Sequence, residues 1–317
     1  MAVSRPLQAA VIVPTFDHGA TLRYSVGSAL RQTVRDIELV IVGDGMPDAA
    51  REVALELQSS DERVRFVDNP KVESRGEAHR NAVLREVTAP YVFYLADDDL
   101  WMPEHLSSML ATFDVTGADF VHSVPVWRMG DGGWYRWIVD LGQPRYRRLM
   151  FEHRNRVPLA CGAHTLEAYR RLPYGWRPAP PGHWTDEWMW MQFAEQEDMK
   201  FACSRLPTAL NFPGSVRPDW SNERRVAELA ECSAILDDPV CRLALHTELF
   251  EAETERLTWL ETQVWEMEEW LEDREQGLTR LATEHERHTR DIALMKSSLR
   301  WRLGERVALL RKRFSRP

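Results

Sequence analysis

Cysteine is scarce in this 317-residue chain, and its four copies (Cys161, Cys203, Cys232, Cys241) include no C-x-x-C pair. That excludes a zinc ribbon or a dithiol redox motif, and free thiols in a reducing compartment are the expectation. Long apolar runs are missing as well. Nothing approaches the roughly 20 residues of a membrane-spanning helix. The N-terminal run LQAAVIV stops at Pro14, too short for the apolar region of a signal peptide. A cytoplasmic protein is expected. Positive charge is also in deficit, with 40 Lys and Arg against 49 Asp and Glu and a net charge of -9. No nucleic-acid partner is therefore expected, since neutralising phosphates takes a basic surface.

What is present is a regular alternation. AAVIVP (Ala9–Pro14), IELVIVGDG, RVRFVDN and YVFYLA are short apolar runs, as parallel strands buried on both faces require. Between them TLRYSVGSALRQT, AAREVALELQSS and GEAHRNAVLREV have helical spacing or composition. Strand–helix alternation of this kind specifies a mostly parallel α/β sheet, and ligands bind outside the carboxyl ends of such strands. Three polar loops follow strand ends: Thr15 to Asp17, Gly43 to Gly45, and the three adjacent aspartates Asp97, Asp98 and Asp99. Together they predict a binding site on one edge.

From about Asp119 to Phe212 the chain turns rich in Trp, Arg and Pro. A twisted hairpin is expected around Gly130–Gly133, and HTLEAYRRL and DEWMWMQFAEQE read as helices. Pro213 to Pro218 mark a boundary. Beyond about Leu243 the strand pattern ends. Leu257, Leu260, Val264, Met267, Leu271, Leu278, Leu281, Ile292, Met295 and Leu299 keep one heptad frame, interrupted at Arg274, His285 and His288. That frame predicts a coiled coil and a homo-oligomer, or a long amphipathic helix packed on its own domain. From Lys296 to Arg316 eight basic residues meet one acid, Glu305, among Trp and Phe. This profile suits an anionic membrane surface, and an acidic partner equally. The expected layout is a domain over 1–215, a helical linker over 216–250, a coiled coil over 251–300 and a basic amphipathic tail over 301–317.

The stretch VIVPTFDHGATLRYSVGSALRQT…IELVIVGDG…RGEAHRNAVL…YVFYLADDDLWMPEHL resembles the family 2 glycosyltransferases with the GT-A fold. The resemblance implies a Rossmann-like catalytic domain that moves a sugar from a nucleotide-sugar donor to a glycan or lipid-linked acceptor in surface polysaccharide assembly. It also implies a divalent cation, Mg²⁺ or Mn²⁺, that offsets repulsion between adjacent aspartates and the charge growing on the leaving diphosphate. Family members often read D-x-D-D-x-x-x-P. Counting back from Pro103 puts Ala96 at the first aspartate and Asp97 toward the ribose or sugar, and implies Asp98, at the usual ligand position, and Asp99 beside it as the metal ligands. Capping the helix that starts near Pro103 is a second role open to Asp99. Pro14, Thr15 and Asp17 match the loop that contacts base and ribose. Asp44 matches the aspartate that bonds the base, with Gly43 where the family more often has a second one. Arg75, six residues before Asn81, matches a nucleotide-contacting arginine.

In TDEWMWMQF, Asp186 and Gln192 keep the spacing of the family's late motif, which implies Asp186 as the base that takes the acceptor proton and inverts the anomeric carbon. Glu187 is the rival, about 100° round the helix, and Asp186 could also cap that helix. Trp184 and Trp188 suit sugar stacking or core; His164 reads as an acceptor-site or helix-start histidine. Two other readings stay open. A catalytically inactive relative could act as a coiled-coil scaffold, given Ala96 and Gly43. A nucleotidyltransferase would use a similar sheet, though VPTFDHGATL lacks the Gly-rich basic loop such enzymes carry.

Overall fold

The structure is a computed structural model that describes residues 6–152 and 155–314, without the side chains of Leu299 and residues 310–314. Residues 315–317 of the expected basic tail, and the side chains of its residues 310–314, lie outside the described residues. The chain divides into two compact units, Met1–Phe250 and Glu251–Pro317.

The four apolar runs form β1 (Ala9–Thr15), β2 (Ile37–Gly43), β3 (Val64–Val67) and β4 (Tyr91–Tyr94). Helices α1 (Gly19–Leu30), α2 (Asp48–Ser60) and α3 (Glu77–Glu86) connect them. The four strands pair in parallel in the order β3-β2-β1-β4, with Ala9 opposite both Ile37 and Tyr91. Strand order reverses between β1 and β4, because β1 leads outward to β2 and β3 while β4 returns to its other side. That point is where an open α/β sheet leaves its ligand crevice.

Next come β5 (Leu100–Trp101), α4 (His105–Thr116), β6 (Phe120–His122), β7 (Pro125–Arg128), β8 (Trp134–Arg136), α5 (Pro144–Met150) and β9 (Gly162–Thr165). β9 inserts between β4 and β6, antiparallel to both. After α6 (Leu166–Arg171) and α7 (Thr185–Ala194), β10 (Phe201–Cys203) closes the seven-stranded sheet beside β6. A smaller sheet runs β5-β11-β7-β8, with β11 at Ala209–Asn211. The hairpin expected around Gly130–Gly133 is its β7–β8 pair, where Arg128 faces Trp134.

Three readings need correcting. HTLEAYRRL is helical only from Leu166; His164 and Thr165 belong to β9, and the Thr165 side chain caps α6 by accepting from the Ala168 N–H. His164 is fully buried and bonds the Tyr94 hydroxyl at 2.8 Å, so it lines no acceptor site. Residues 216–250, read as a linker, pack into the first unit. Helix α8 (Asn222–Asp237) and the start of α9 (Pro239–Ser297) bury Leu229, Cys232, Leu236, Leu245 and Leu249 against Leu100, Met102, Val126 and Leu210. Arg217, 1% exposed, anchors this addition through Glu228 at 2.9 Å, and Arg128 of β7 reaches the same carboxylate at 3.4 Å.

The second unit consists of α9 from Glu251 onward and, after a break at Ser298, α10 (Leu299–Phe314). Along it Leu257, Val264, Met267, Leu271, Leu278, Leu281, Ile292 and Met295 are each more than half exposed. Among the described residues no helix is long and apolar enough to cross a membrane.

Candidate active site at the carboxyl edge of the sheet

The strand-end loops meet over the switch point and line one cavity of about 510 Å³. Its walls carry Pro14, Thr15, Asp17, Asp44, Arg75 and Asp97, all named from the sequence, together with Asp186. The register explains the convergence. Thr15 lies opposite Gly43, and the Leu95 N–H bonds the Ile12 carbonyl, so the loops leaving β1, β2 and β4 start at one level.

Asp44 is buried and fixed. Lys71 Nζ donates to one of its oxygens and the Val72 N–H donates to the other at 3.0 Å. Gly76 takes φ +72° against it, and a Cβ there would stand 3.2 Å from the Asp44 Cβ. A residue other than glycine would therefore be strained in its backbone and press on the aspartate. Lys71 also stands 4.5 Å over the Phe16 ring, at the cavity wall.

Two guanidinium groups face the cavity. Arg75 is solvent-exposed. Arg80 is 4% exposed, stacks on Trp176 at 4.3 Å, and has Nε and Nη2 buried without a hydrogen-bond partner. A buried cation with unpaired donors in the wall of a cavity suits an anion position. Its pKa is pulled down by burial, against the pull of Glu77 and Asp186. Arg80, Lys71, Phe16 and His18 were not picked out from the sequence. The motif RGEAHRN signalled the loop but not which arginine turns inward.

The three aspartates have separate surroundings. Asp97 faces the cavity, and His18 Nδ1 lies 3.1 Å from its Oδ1; this carboxylate holds the imidazole up at about 9. Asp99 accepts from Asn211 Nδ2 at 2.7 Å and the Phe212 N–H at 2.9 Å. Burial still pushes it up to about 6, against those two bonds. It does not cap a helix, since α4 begins at His105 with Glu104 at its N-cap. Asp98 lines a second, smaller cavity behind Asp17 and His18, with Arg217 and Arg225. Burial, then the Asp99 and Asp97 carboxylates, pushes it well above the usual carboxylate range.

On the facing wall, Asp186 sits in the first turn of α7, whose N-cap is Trp184 rather than Asp186. Its Oδ1 accepts the Glu187 N–H at 2.8 Å, and burial pushes its carboxyl up to about 6. Glu187, the rival, is fully buried and turns back to the Trp184 N–H at 3.3 Å and to His183 at 3.3 Å. Gln192 is buried and holds the Gly175 carbonyl at 2.9 Å, which keeps Trp176 beneath Arg80. Trp188 packs half-buried against the core, whereas Trp184 is 62% exposed at the cavity rim.

Among the described residues no cluster of three or more His, Cys, Asp and Glu side chains could hold a metal ion by itself. One raised, unpaired carboxylate beside two others nevertheless fits a cation that takes most of its ligands from a bound phosphate and water.

The profile of glycosyl transferase family 2 matches residues 10–174, slightly more than half the chain. Among curated proteins, a GalNAc(5)-diNAcBac-PP-undecaprenol β-1,3-glucosyltransferase from Campylobacter jejuni is 28% identical over 100 residues, 32% of each chain. The UDP-Glc:α-D-GlcNAc-diphosphoundecaprenol β-1,3-glucosyltransferase WfgD of Escherichia coli is 26% identical over 112 residues, 35% of this chain and 43% of that protein. The poly(ribitol-phosphate) β-N-acetylglucosaminyltransferase TarP of Staphylococcus aureus is 35% identical over 92 residues, 28% of each. The chain thus matches less than half the length of these relatives. Among solved structures, S. aureus TarS 1-349 with UDP-GlcNAc superposes with a TM-score of 0.53 over 73% of this chain and 66% of that one. At 13% identity this likeness speaks for the fold alone.

Proposed function

Because the chain belongs to glycosyl transferase family 2, we propose that it moves a sugar from a nucleoside-diphosphate donor to a hydroxyl of a glycan or lipid-linked acceptor, inverting the anomeric carbon. One observation carries this reading: Asp186 lines the same cavity as the nucleotide-type loops. The relatives' acceptors, diphosphoundecaprenol-linked sugars and poly(ribitol-phosphate), support a role in surface-glycan assembly.

Each side chain has a task in this reaction. Asp44, held by Lys71 and the Val72 N–H, is an acceptor suited to an N–H of the nucleotide base. Thr15 and Asp17 border the ribose, with Pro14 shaping the loop and Asp97 reaching the ribose or sugar. Arg75 and Arg80 hold the diphosphate. Asp186 takes the proton of the acceptor hydroxyl while its oxygen bonds the anomeric carbon from one face and the diphosphate oxygen leaves from the other. Asn211 and the Phe212 N–H hold Asp99 against β11, and Asp98, which has no such bond, is the aspartate assigned to a cation in this proposal. Such a cation supplies Lewis-acid stabilisation of the departing diphosphate.

The test is incubation of the full chain with UDP-glucose or UDP-GlcNAc, Mn²⁺ and an undecaprenyl-diphosphate-linked sugar. UDP release with a lengthened acceptor is expected. No turnover with any nucleotide sugar would mean an inactive scaffold, and pyrophosphate release from a separate mixture of nucleoside triphosphate and sugar 1-phosphate a nucleotidyltransferase. Arg80→Ala should weaken UDP binding by about 10–100-fold, the loss of a hydrogen bond between charged partners. Calorimetric titration beside a melting curve checks this, since unchanged UDP affinity would make Arg80 a packing residue. The acid limb of kcat/KM should fall as pH drops through about 6, since Asp186 accepts a proton only when ionised. A flat profile from pH 5 to 8 would remove Asp186 as the base.

A further inference from the structure

The second unit is polarised in charge along its length. Glu251 to Glu275 carries ten acids against two arginines, whereas Lys296 to Arg316 carries eight bases against one acid. An apolar seam joins the two ends, and its side chains from Leu257 to Met295 are exposed or, for Leu260, half-buried. Such a seam on a single helix is stable only when another helix covers it.

We propose that the seam is covered by the same unit of a second copy, running antiparallel. Charge decides the direction. A parallel pair in register would lay the acidic stretch on itself and the basic stretch on itself. An antiparallel pair lays each on its opposite. The seam permits it in its central layers: with His285 opposite His288 of the second copy, Leu281 meets Ile292 and Leu278 meets Met295, while Leu271 and Met267 fall beside the aliphatic stems of Arg302 and Arg306. The same alignment brings Glu268, Glu269 and Glu272 alongside Arg300, Arg302 and Arg306 of the other copy. Folding back at Ser298 within one chain would instead set residues 299–314 against 282–297, where three acids and three bases cancel. This pairing is independent of the proposed sugar transfer.

Light scattering and sedimentation equilibrium on the full chain at low salt test the proposal. The wild type should be a dimer. Reversing the basic set (Arg300→Glu, Arg302→Glu, Arg306→Glu) or the acidic set (Glu268→Arg, Glu269→Arg, Glu272→Arg) should each weaken it by about tenfold or more. Combining both sets in one chain should restore it. Circular dichroism of each variant keeps the reading separate from loss of helix. Failure of the combined variant to recover would overturn the antiparallel arrangement. So would reversals that leave the dimer intact. A wild type that stays monomeric overturns the pairing outright, and if it then sediments with phosphatidylglycerol vesicles, the basic stretch serves an anionic membrane instead.

Discussion

Asp186→Asn should bind donor as the wild type does and lose about 10²–10⁴ in turnover, the usual contribution of a positioned base. The substitution keeps shape and the hydrogen bond from the Glu187 N–H while removing the lone pair that accepts the proton. Because Asp186 is partly buried, its charge is already costly, and the neutral variant should melt no lower than the wild type. Single-turnover rates and UDP titration separate the two effects. Weakened UDP affinity with preserved turnover would mean that Asp186 shapes the donor pocket and that another group, with Glu187 the nearest carboxylate, takes the proton.

Asp98→Ala carries the other large effect. Stabilising the leaving diphosphate through a cation is worth several kcal/mol, so transfer should fall by about 10³-fold or more. Stability should move the other way. Asp98 is pushed far above the usual carboxylate range by burial and by Asp99 and Asp97, so its ionised form strains the fold, and its removal should raise the melting temperature in chelator. Mn²⁺ with UDP should stabilise the wild type more than UDP alone and leave the variant unmoved. Near-normal transfer by the variant would end the metal assignment. Equal melting shifts in both chains would place the cation elsewhere.

The parallel half of the fold was open to reading because strands buried on both faces write unbroken apolar runs, as β1 and β2 do. The strand β9 wrote nothing of the kind. Its four residues, Gly162–Thr165, contain glycine and histidine, and they become a strand only through β4 and β6, far off in sequence. The site divides along similar lines. Loops at strand ends could be named, since their position follows from the sheet. Lys71 and Arg80 could not, because Lys71 meets Asp44 only through the β2–β3 register, and Arg80 turns inward only because Trp176 lies under it. Three adjacent aspartates look alike as letters. Their partners differ: His18 for Asp97, Asn211 and Phe212 for Asp99. Similarly, α8 looked like a connector because the face it buries, with Leu229, Cys232 and Leu236, answers a small sheet that only the fold assembles.

The reversed strand has a consequence for how such a protein can diversify. The parallel strands deliver residues to the cavity as the chain leaves the sheet, whereas β9 delivers Leu159 as the chain arrives. The nucleotide wall is therefore inherited with the core, since shifting β1, β2 or β4 by one residue would exchange the side chains packed on its two buried faces and misfit both. Among its described residues the segment between β8 and β9 pairs with none of the parallel strands, although Leu141, Met150 and Val157 pack in the core. It can lengthen, shorten or change composition while Thr15, Asp44 and Asp97 keep their places. Natural variants with one donor and many acceptors would be expected to differ there first, before Gly162, rather than at the strand ends of the first half.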